Sequence, residues 1–505
     1  MIELGGLSRN PAPCANATLE AAYAVDGATG LPAFTAGQDT ADTARIQAAI
    51  DACAASLAAG AKGSVRLRPS TIGAGAVAFV SGPLSLRAGV TLWVDAGTIL
   101  FASQDPRDYD TTAGTATCGT DAQSSSSGCK PFISVKGTSS TPLAGGIVGQ
   151  GVIDGLGGEP MVGGFNGDPA ATWWDVAGHA DANDRSFSNP RLVDVIRAKG
   201  FTLYQITLRN SPKFHVGLES DGFVAWGVHI QTPSRATNSK GKPLTPAYAR
   251  NTDGIDPYDA NDGYIVYSTI STGDDQIALK CGKYHLNNAA DATPSCQRIT
   301  IAHDHLGTGH GISIGSETNA GKTDGTGVGV DGLHVYDVSI DGLIPNGGAG
   351  NVNVNGLRIK SDRSCGGIVR NVTYEDVCMR GLANPILLNP DYDPSATGNA
   401  IPTFQGVTFR DVRHVDCSAS AVVPTPVVTL QGADASHLAQ VTLDGVVVDG
   451  IAAANVLARY ATVALGPGPV SFTPAGPGVT VTDVRTGAGA PNACAGKFVA
   501  LPAAR

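Results

Sequence analysis

From residue 64 onward the apolar positions come in short runs of three to five residues, alternating with polar ones or apolar throughout. Val65-Arg66-Leu67, Val77-Ala78-Phe79-Val80, Leu84-Ser85-Leu86 and Val90-Thr91-Leu92-Trp93-Val94 are the first. Runs this short, punctuated by glycine, read as strands. After residue 190 they recur. Phe201–Leu208 is followed by Phe223–Ile230, and similar segments begin at Tyr264, Arg298, Leu333, Val369, Val407 and Val441. The intervals run from about 22 to 41 residues, with loops absorbing the excess. An imperfect period of this size marks a solenoid. A single coil buries too little to be stable, whereas stacked coils share one interior and pair each strand with its neighbour in a parallel ladder. The pattern predicts an all-β fold: a single-domain right-handed parallel β-helix over 39–505.

Ahead of it, residues 1–38 read as an irregular Pro/Ala/Gly-rich segment. Helical periodicity occurs once, at Ile46, Ala49, Ile50 and Cys53, which share one face. Asp39 or Thr40 is placed to cap it, Asp42 suits its positive end, and Gly60 and Gly63 end it. This helix, about 40–58, is the one substantial helix expected. Its role would be to cover the open end of the solenoid, where unpaired strand edges are a liability. Three excursions interrupt the strands, at 102–132, 155–190 and 321–350. The first carries Gln123-Ser124-Ser125-Ser126-Ser127-Gly128 between Cys118 and Cys129, as a solvated loop pinned at its base. The second carries Trp173-Trp174, which either lines a sugar site or anchors the loop by packing.

Composition narrows the class. Of 505 residues 65 are glycine, 42% are hydrophobic and 15% charged, too apolar for a disordered chain. No apolar run approaches the length of a membrane span, so no membrane partner is expected. The net charge of -10 disfavours nucleic acid, and an acidic ligand would need a local basic patch. Ten cysteines without a CxxC argue against zinc or thioredoxin-like chemistry. The close pairs 118/129, 281/296 and 365/378 suggest disulfides and an oxidising, extracellular compartment, although reduced buried thiols fit the same count. Met1-Ile2-Glu3-Leu4-Gly5-Gly6 lacks the basic and apolar regions of a signal peptide, which is therefore expected to have been removed. A monomer is expected.

The candidate chemistry lies in four segments in chain order: Asn251-Thr252-Asp253-Gly254-Ile255-Asp256, Gly273-Asp274-Asp275-Gln276-Ile277-Ala278, Gly309-His310-Gly311 and Arg358-Ile359-Lys360. Asp253 and Asp274 are one coil apart, so they and Asp275 should face one groove at the interstrand spacing of roughly 4.8 Å. Asp275 to His310 is one coil with a long loop. His310 to Arg358 is either two coils or one coil plus the 321–350 loop. Crowded carboxylates cannot all ionise, so one is held protonated as a general acid beside others able to act as base. Glycosidic cleavage needs that pairing. Neighbouring strand residues point to opposite faces, so Asp274 and Asp275 both reaching the groove requires a bend, for which Gly273 is suited. Taken singly each motif has a bland reading: Asn-Thr-Asp-Gly is a common turn, and Arg-Ile-Lys is ordinary exposed-face alternation. Their order and spacing shift the balance.

The same four motifs, with Asn210-Ser211-Pro212-Lys213-Phe214-His215, Thr232-Pro233 and Ile314-Gly315-Ser316-Glu317 around them, resemble the signature of the polygalacturonases, glycoside hydrolase family 28. The similarity is strong over about 200–395, and the Gly-Asp-Asp-Gln-Ile-Ala run looks bacterial. The resemblance implies a pectin-lyase-like β-helix and endo-hydrolysis of α-1,4 bonds in polygalacturonate, with inversion. It implies Asp274 as general acid, Asp253 and Asp275 on the attacking water, and His310 beside the acid. Arg358 and Lys360 would take the substrate carboxylate, Tyr392 would be a subsite tyrosine and Asn251 a positioning residue. It implies no metal or other cofactor. The alternatives are an exo-acting enzyme releasing mono- or digalacturonate, a calcium-dependent pectate lyase, a rhamnogalacturonan hydrolase and a non-catalytic β-helix that binds polysaccharide.

Overall fold

The computed structural model describes residues 11–33, 40–71, 75–121, 128–137, 143–282, 295–322, 324–343, 355–416, 424–483 and 494–499. The chain divides into two compact units, Met1–Val216 with Val224–Gln231 and Thr237–Pro243, and Gly217–Phe223 with Thr232–Ala236 and Leu244–Arg505. Each is wound as coils of a right-handed parallel β-helix.

In the first unit the expected runs become strands Gly63–Arg68, Ala76–Ser81, Leu84–Leu86 and Val90–Val94. Parallel pairing aligns Val65, Leu92, Ile147, Leu203 and Ala225 in one column, and all five are buried. Part of the irregular N-terminal segment proves to be ordered. Pro13–Glu20 is a strand paired parallel with Gly63–Arg68, and Tyr23–Ala24 pairs antiparallel with Ala76–Ser81. Helix α1, Thr43–Ser56, packs on Pro13–Glu20 and Gly63–Arg68 through Ile46, Ile50 and Cys53, and a Cys14–Cys53 disulfide ties it there. Its N-cap is Asp42, and the carboxylate does not cap. It accepts from the Val80 backbone N–H at 2.8 Å and from Arg45 instead, so it fastens the helix to the adjacent coil.

A second helix, α2, Trp173–Ala182, stands where a loop was expected. Thr172 and Asp175 form a reciprocal capping box that satisfies two orphan N–H groups. Trp173 and Trp174 are fully buried. Trp174 Nε1 donates to the Ser211 carbonyl at 2.9 Å, and Trp173 meets Tyr109 edge-on at 5.8 Å. The pair therefore anchors this excursion and presents no face to a sugar. In the 102–132 excursion the Cys118–Cys129 bridge is present, while the serine run 123–127 lies outside the described residues.

In the second unit Ile265, Ile301, Val335, Tyr374, Phe409, Leu443 and Leu465 form one buried column. Each such side chain contributes about 1.5–3 kcal/mol relative to exposure. The 321–350 stretch is not a loop throughout, because Val328–Asp341 is a 14-residue strand. Cys281 pairs with Cys296 as spacing suggested, but Cys378 pairs with Cys494 and not with Cys365. Pairing by proximity in sequence fails there because the C-terminal segment 494–499 lies back against earlier coils, where Lys497 pairs with Asp337 and Asp376 and Arg380 lies over Phe498. Among the described residues no helix is long and apolar enough to cross a membrane.

Candidate active site

One face of the second unit is a ladder of β1 (Ile255–Asn261), β2 (Ile277–Leu279), β3 (Ile312–Ile314), β4 (Asn355–Lys360), β5 (Asn384–Asn389), β6 (Val428–Gln431) and β7 (Val456–Arg459). Ile255, Ile277, Ile312, Leu357, Ile386, Val428 and Val456 lie in register and point into the core. Two residues ahead of that column, in three successive coils, stand Asp253, Asp275 and His310. Asp253 is thus level with Asp275, one residue away from the alignment with Asp274 that spacing suggested. His310 to Arg358 is a single coil, since Ser313 lies opposite Arg358.

Asp274 and Asp275 precede β2 and sit in the bend over 273–276. Their position off the strand lets both approach one point. Gly273 is needed there for close approach: a Cβ would come within 2.0 Å of the Ala249 carbonyl oxygen. One oxygen from each of Asp253, Asp274 and Asp275 lies within 4.8 Å of the others. Asp253 and Asp275 are buried, and Asp274 is half-exposed. The Asp274 carboxylate accepts the backbone N–H of Asp275 at 2.9 Å and that of Asn251 at 3.3 Å. Asn251 reaches it from a left-handed backbone, φ 52°. It therefore meets the cluster through its main chain.

The His310 turn is fixed from beneath. Its N–H donates to the Asp274 carbonyl at 3.0 Å, and the Gln276 side chain bridges the Gly307 carbonyl and the Gly311 N–H. Gly311 has φ 73°, and a Cβ would meet the Gly356 oxygen at 1.9 Å. The His310 Nδ1 is buried without a hydrogen bond.

Arg358 and Lys360 alternate with the core residue Ile359, so both reach the groove face. In this structure both hold Asp275. Arg358 pairs with its Oδ1, Lys360 lies 3.2 Å from its Oδ2, and Ser313 Oγ donates at 2.9 Å. Lys360 also sits 4.9 Å over the ring of Tyr392, which is 44% exposed. Lys280, not singled out from sequence, and Asp256, contained in the first motif without a role, complete the cluster. Lys280, just after β2, bridges Asp253 at 2.5 Å and Asp256 at 3.0 Å, with all three side chains largely buried. A lone lysine after a three-residue apolar strand reads as a solvated end. The clue was its place in the period, one coil on from Asp256.

Burial drives the Asp253 carboxyl well above the usual carboxylate range, with Asp256, Asp274 and Asp275 adding to the push against Lys280. Burial likewise pushes Asp256 up to about 6. Burial opposes ionisation of Asp275 too, but Arg358, Lys360, His310 and Lys280 outweigh it and hold Asp275 below the usual range. Four carboxylates thus face three permanent cations, and the surplus negative charge favours one proton shared within the cluster, with burial opposing ionisation of Asp253 and Asp256. A site with a permanently ionised carboxylate beside a retained proton can run paired acid–base chemistry near neutral pH.

Residues 109–464 match the family described as Glycosyl hydrolases family 28. The chain is 36% identical to a polygalacturonase of Ralstonia solanacearum, over 94% of this chain and 87% of that one. It is 36% identical to an endo-polygalacturonase of Pectobacterium carotovorum subsp. carotovorum, over 73% and 77%. The solved polygalacturonase of Erwinia carotovora ssp. carotovora superposes with a TM-score of 0.67 at 32% identity, covering 89% of this chain and 97% of that one. On the extent of these matches, this chain belongs to glycosyl hydrolase family 28.

Proposed function

We propose that the chain is an endo-acting polygalacturonase, hydrolysing α-1,4 bonds within de-esterified polygalacturonate. The observation that carries this is the convergence of Asp253, Asp274 and Asp275 within 4.8 Å, bounded by Arg358 and Lys360. Asp274, the most exposed of the three carboxylates, delivers the proton to the leaving oxygen. Asp275, kept ionised by its cations, takes the proton of the attacking water, which Asp253 helps to orient. His310 adjoins the acid through its backbone bond to Asp274 and returns the proton between turnovers. Arg358 has five N–H donors and Lys360 three, so donors beyond those spent on Asp275 are left for a substrate carboxylate. Tyr392 offers an exposed ring face for a neighbouring sugar.

The carboxylates stand closer than the roughly 6.5–9.5 Å usual for inverting hydrolases, a spacing that on its own favours double displacement. We assign single displacement because the motif resemblance implies inversion, with the attacking water held between Asp275 and Asp253. The anomer first formed, read by proton NMR, tests this. The role of Asp274 is tested by Asp274→Asn in a reducing-end assay on polygalacturonate, where kcat should fall by about 10² or more. Near-normal turnover would overturn it. Early oligomers would identify endo action, and mono- or digalacturonate alone would identify exo action. Four disulfides among the described residues support an extracellular working place.

A further inference from the structure

Three coils beyond Lys360 the same face carries a second basic position. Register places Lys360 opposite Asn389. One step past the aligned pair Leu388–Leu430, Asn389 is level with Gln431, which lies opposite Arg459. Arg459 therefore occupies the outward column of Lys360, at roughly three interstrand spacings or ~14 Å. Next to it is a cavity of about 400 Å³, lined by Arg363, Asp391, Asn399, Asp434 and Arg459. Asp391, in the cavity wall, is one residue along the chain from the exposed Tyr392, whose N–H donates to the Ser361 carbonyl at 3.0 Å.

Its charges are unevenly spent. Asp434 accepts from its own turn, from the Ser436 and His437 backbone N–H groups and the His437 ring, at 2.8–2.9 Å. Asp391 meets Arg459 only at 3.9 Å. The Arg459 Nε is buried beyond a ligand's reach, but the side chain is 40% exposed and lines the cavity, so its terminal N–H groups are the donors open to a ligand. Arg363 is exposed on the cavity wall. A planar carboxylate would take the two terminal N–H groups of Arg459 bidentately, with Arg363 within the same cavity.

We propose that this cavity is a distal carboxylate-binding subsite, in which Arg459 and Arg363 hold the uronate carboxylate of a sugar several rings from the cleaved bond. The coil spacing is comparable to the length of one pyranose ring, so a chain laid along the ladder from Lys360 over Tyr392 arrives there. The proposal rests on the polygalacturonate reading of the active site. A subsite this far out binds long chains and leaves short ones unaffected, favouring cleavage within the polymer.

The test compares wild type with Arg459→Gln and Arg363→Gln on oligogalacturonates of defined length. Octagalacturonate affinity is measured by calorimetry at low temperature, and kcat and KM by reducing ends. Each variant should bind the acid octamer about threefold to tenfold more weakly, the worth of one charge-assisted contact. Kinetic constants on the trimer should be unchanged, and the preference of wild type for the acid octamer over its methyl ester should shrink. Equal weakening on trimer and octamer would mean a structural role, and unchanged octamer affinity in both variants would overturn the subsite. Absence of hydrolysis by wild type would count against the activity, and the octamer titration would still decide the subsite.

Discussion

Replacing Lys280 with methionine tests the electrostatic account of the site most directly. The stem is conserved in length and the charge is lost, leaving Asp253 and Asp256 buried without the cation they share. With Lys280 present, Asp256 titrates at about 6 instead of 3.8, a shift equivalent to about 3 kcal/mol. Asp253 is raised as well. A carboxyl raised in the folded state binds more protons there than in the unfolded chain. Stability therefore falls as pH rises from the unfolded value through the folded one, by up to about 1.4 kcal/mol per pH unit per group. Removing Lys280 raises both groups further, so the deficit must grow with pH. It should be about 1 kcal/mol near pH 4, where both carboxyls are protonated in the folded state. It should reach about 3–5 kcal/mol by pH 7.5, the cost of stranding a buried charge. Urea unfolding followed by the fluorescence of the four tryptophans at pH 4, 6 and 7.5 reads this out. A deficit equal at all three pH values would show that Lys280 acts only through packing, and one that shrinks with pH would refute the assignment of the retained proton.

Three further outcomes follow from the geometry. Gly311→Ala places a methyl group against the Gly356 oxygen at a backbone angle that disfavours it; turnover on polygalacturonate should fall at least tenfold with the circular dichroism of the strands retained. Cys494→Ser opens a bridge spanning 116 residues, and unfolding should become easier by about 2–5 kcal/mol in urea titrations, an effect lost when wild type is reduced first. Trp173→Ala should cost about 3–5 kcal/mol as a core truncation, while KM for polygalacturonate at permissive temperature stays unchanged.

The strands and the four motifs were legible because alternation and motif order are local properties. Leu333, Val407 and Val441, picked out as segment starts, do stand in one column, with Val372 between the first two. What the sequence concealed depends on register. Counting 21 residues paired Asp253 with Asp274, but coils differ in length, and a count cannot show that Ile255 stacks on Ile277. Lys280 carries no local signal, because its partners lie 24 and 27 residues back. Helix α2 has its cap written in Thr172 and Asp175, but its short apolar run sits among glycine, asparagine and aspartate, which read as loop. The Cys378–Cys494 bridge defeats any inference from spacing.

The inward column Ile255, Ile277, Ile312 and Leu357 has members 22, 35 and 45 residues apart in the chain, yet adjacent in the ladder. The column works as an index: it fixes which residues arrive together and is indifferent to how much chain lies between. Doubling one of these connections costs only about 0.6 kcal/mol in closure entropy. The walls beside the groove can therefore be rebuilt by lengthening loops, altering which polymers enter, while the carboxylates stay aligned. A single residue gained or lost within a strand has no such latitude, because it would turn Arg358 and Lys360 inward and Ile359 out.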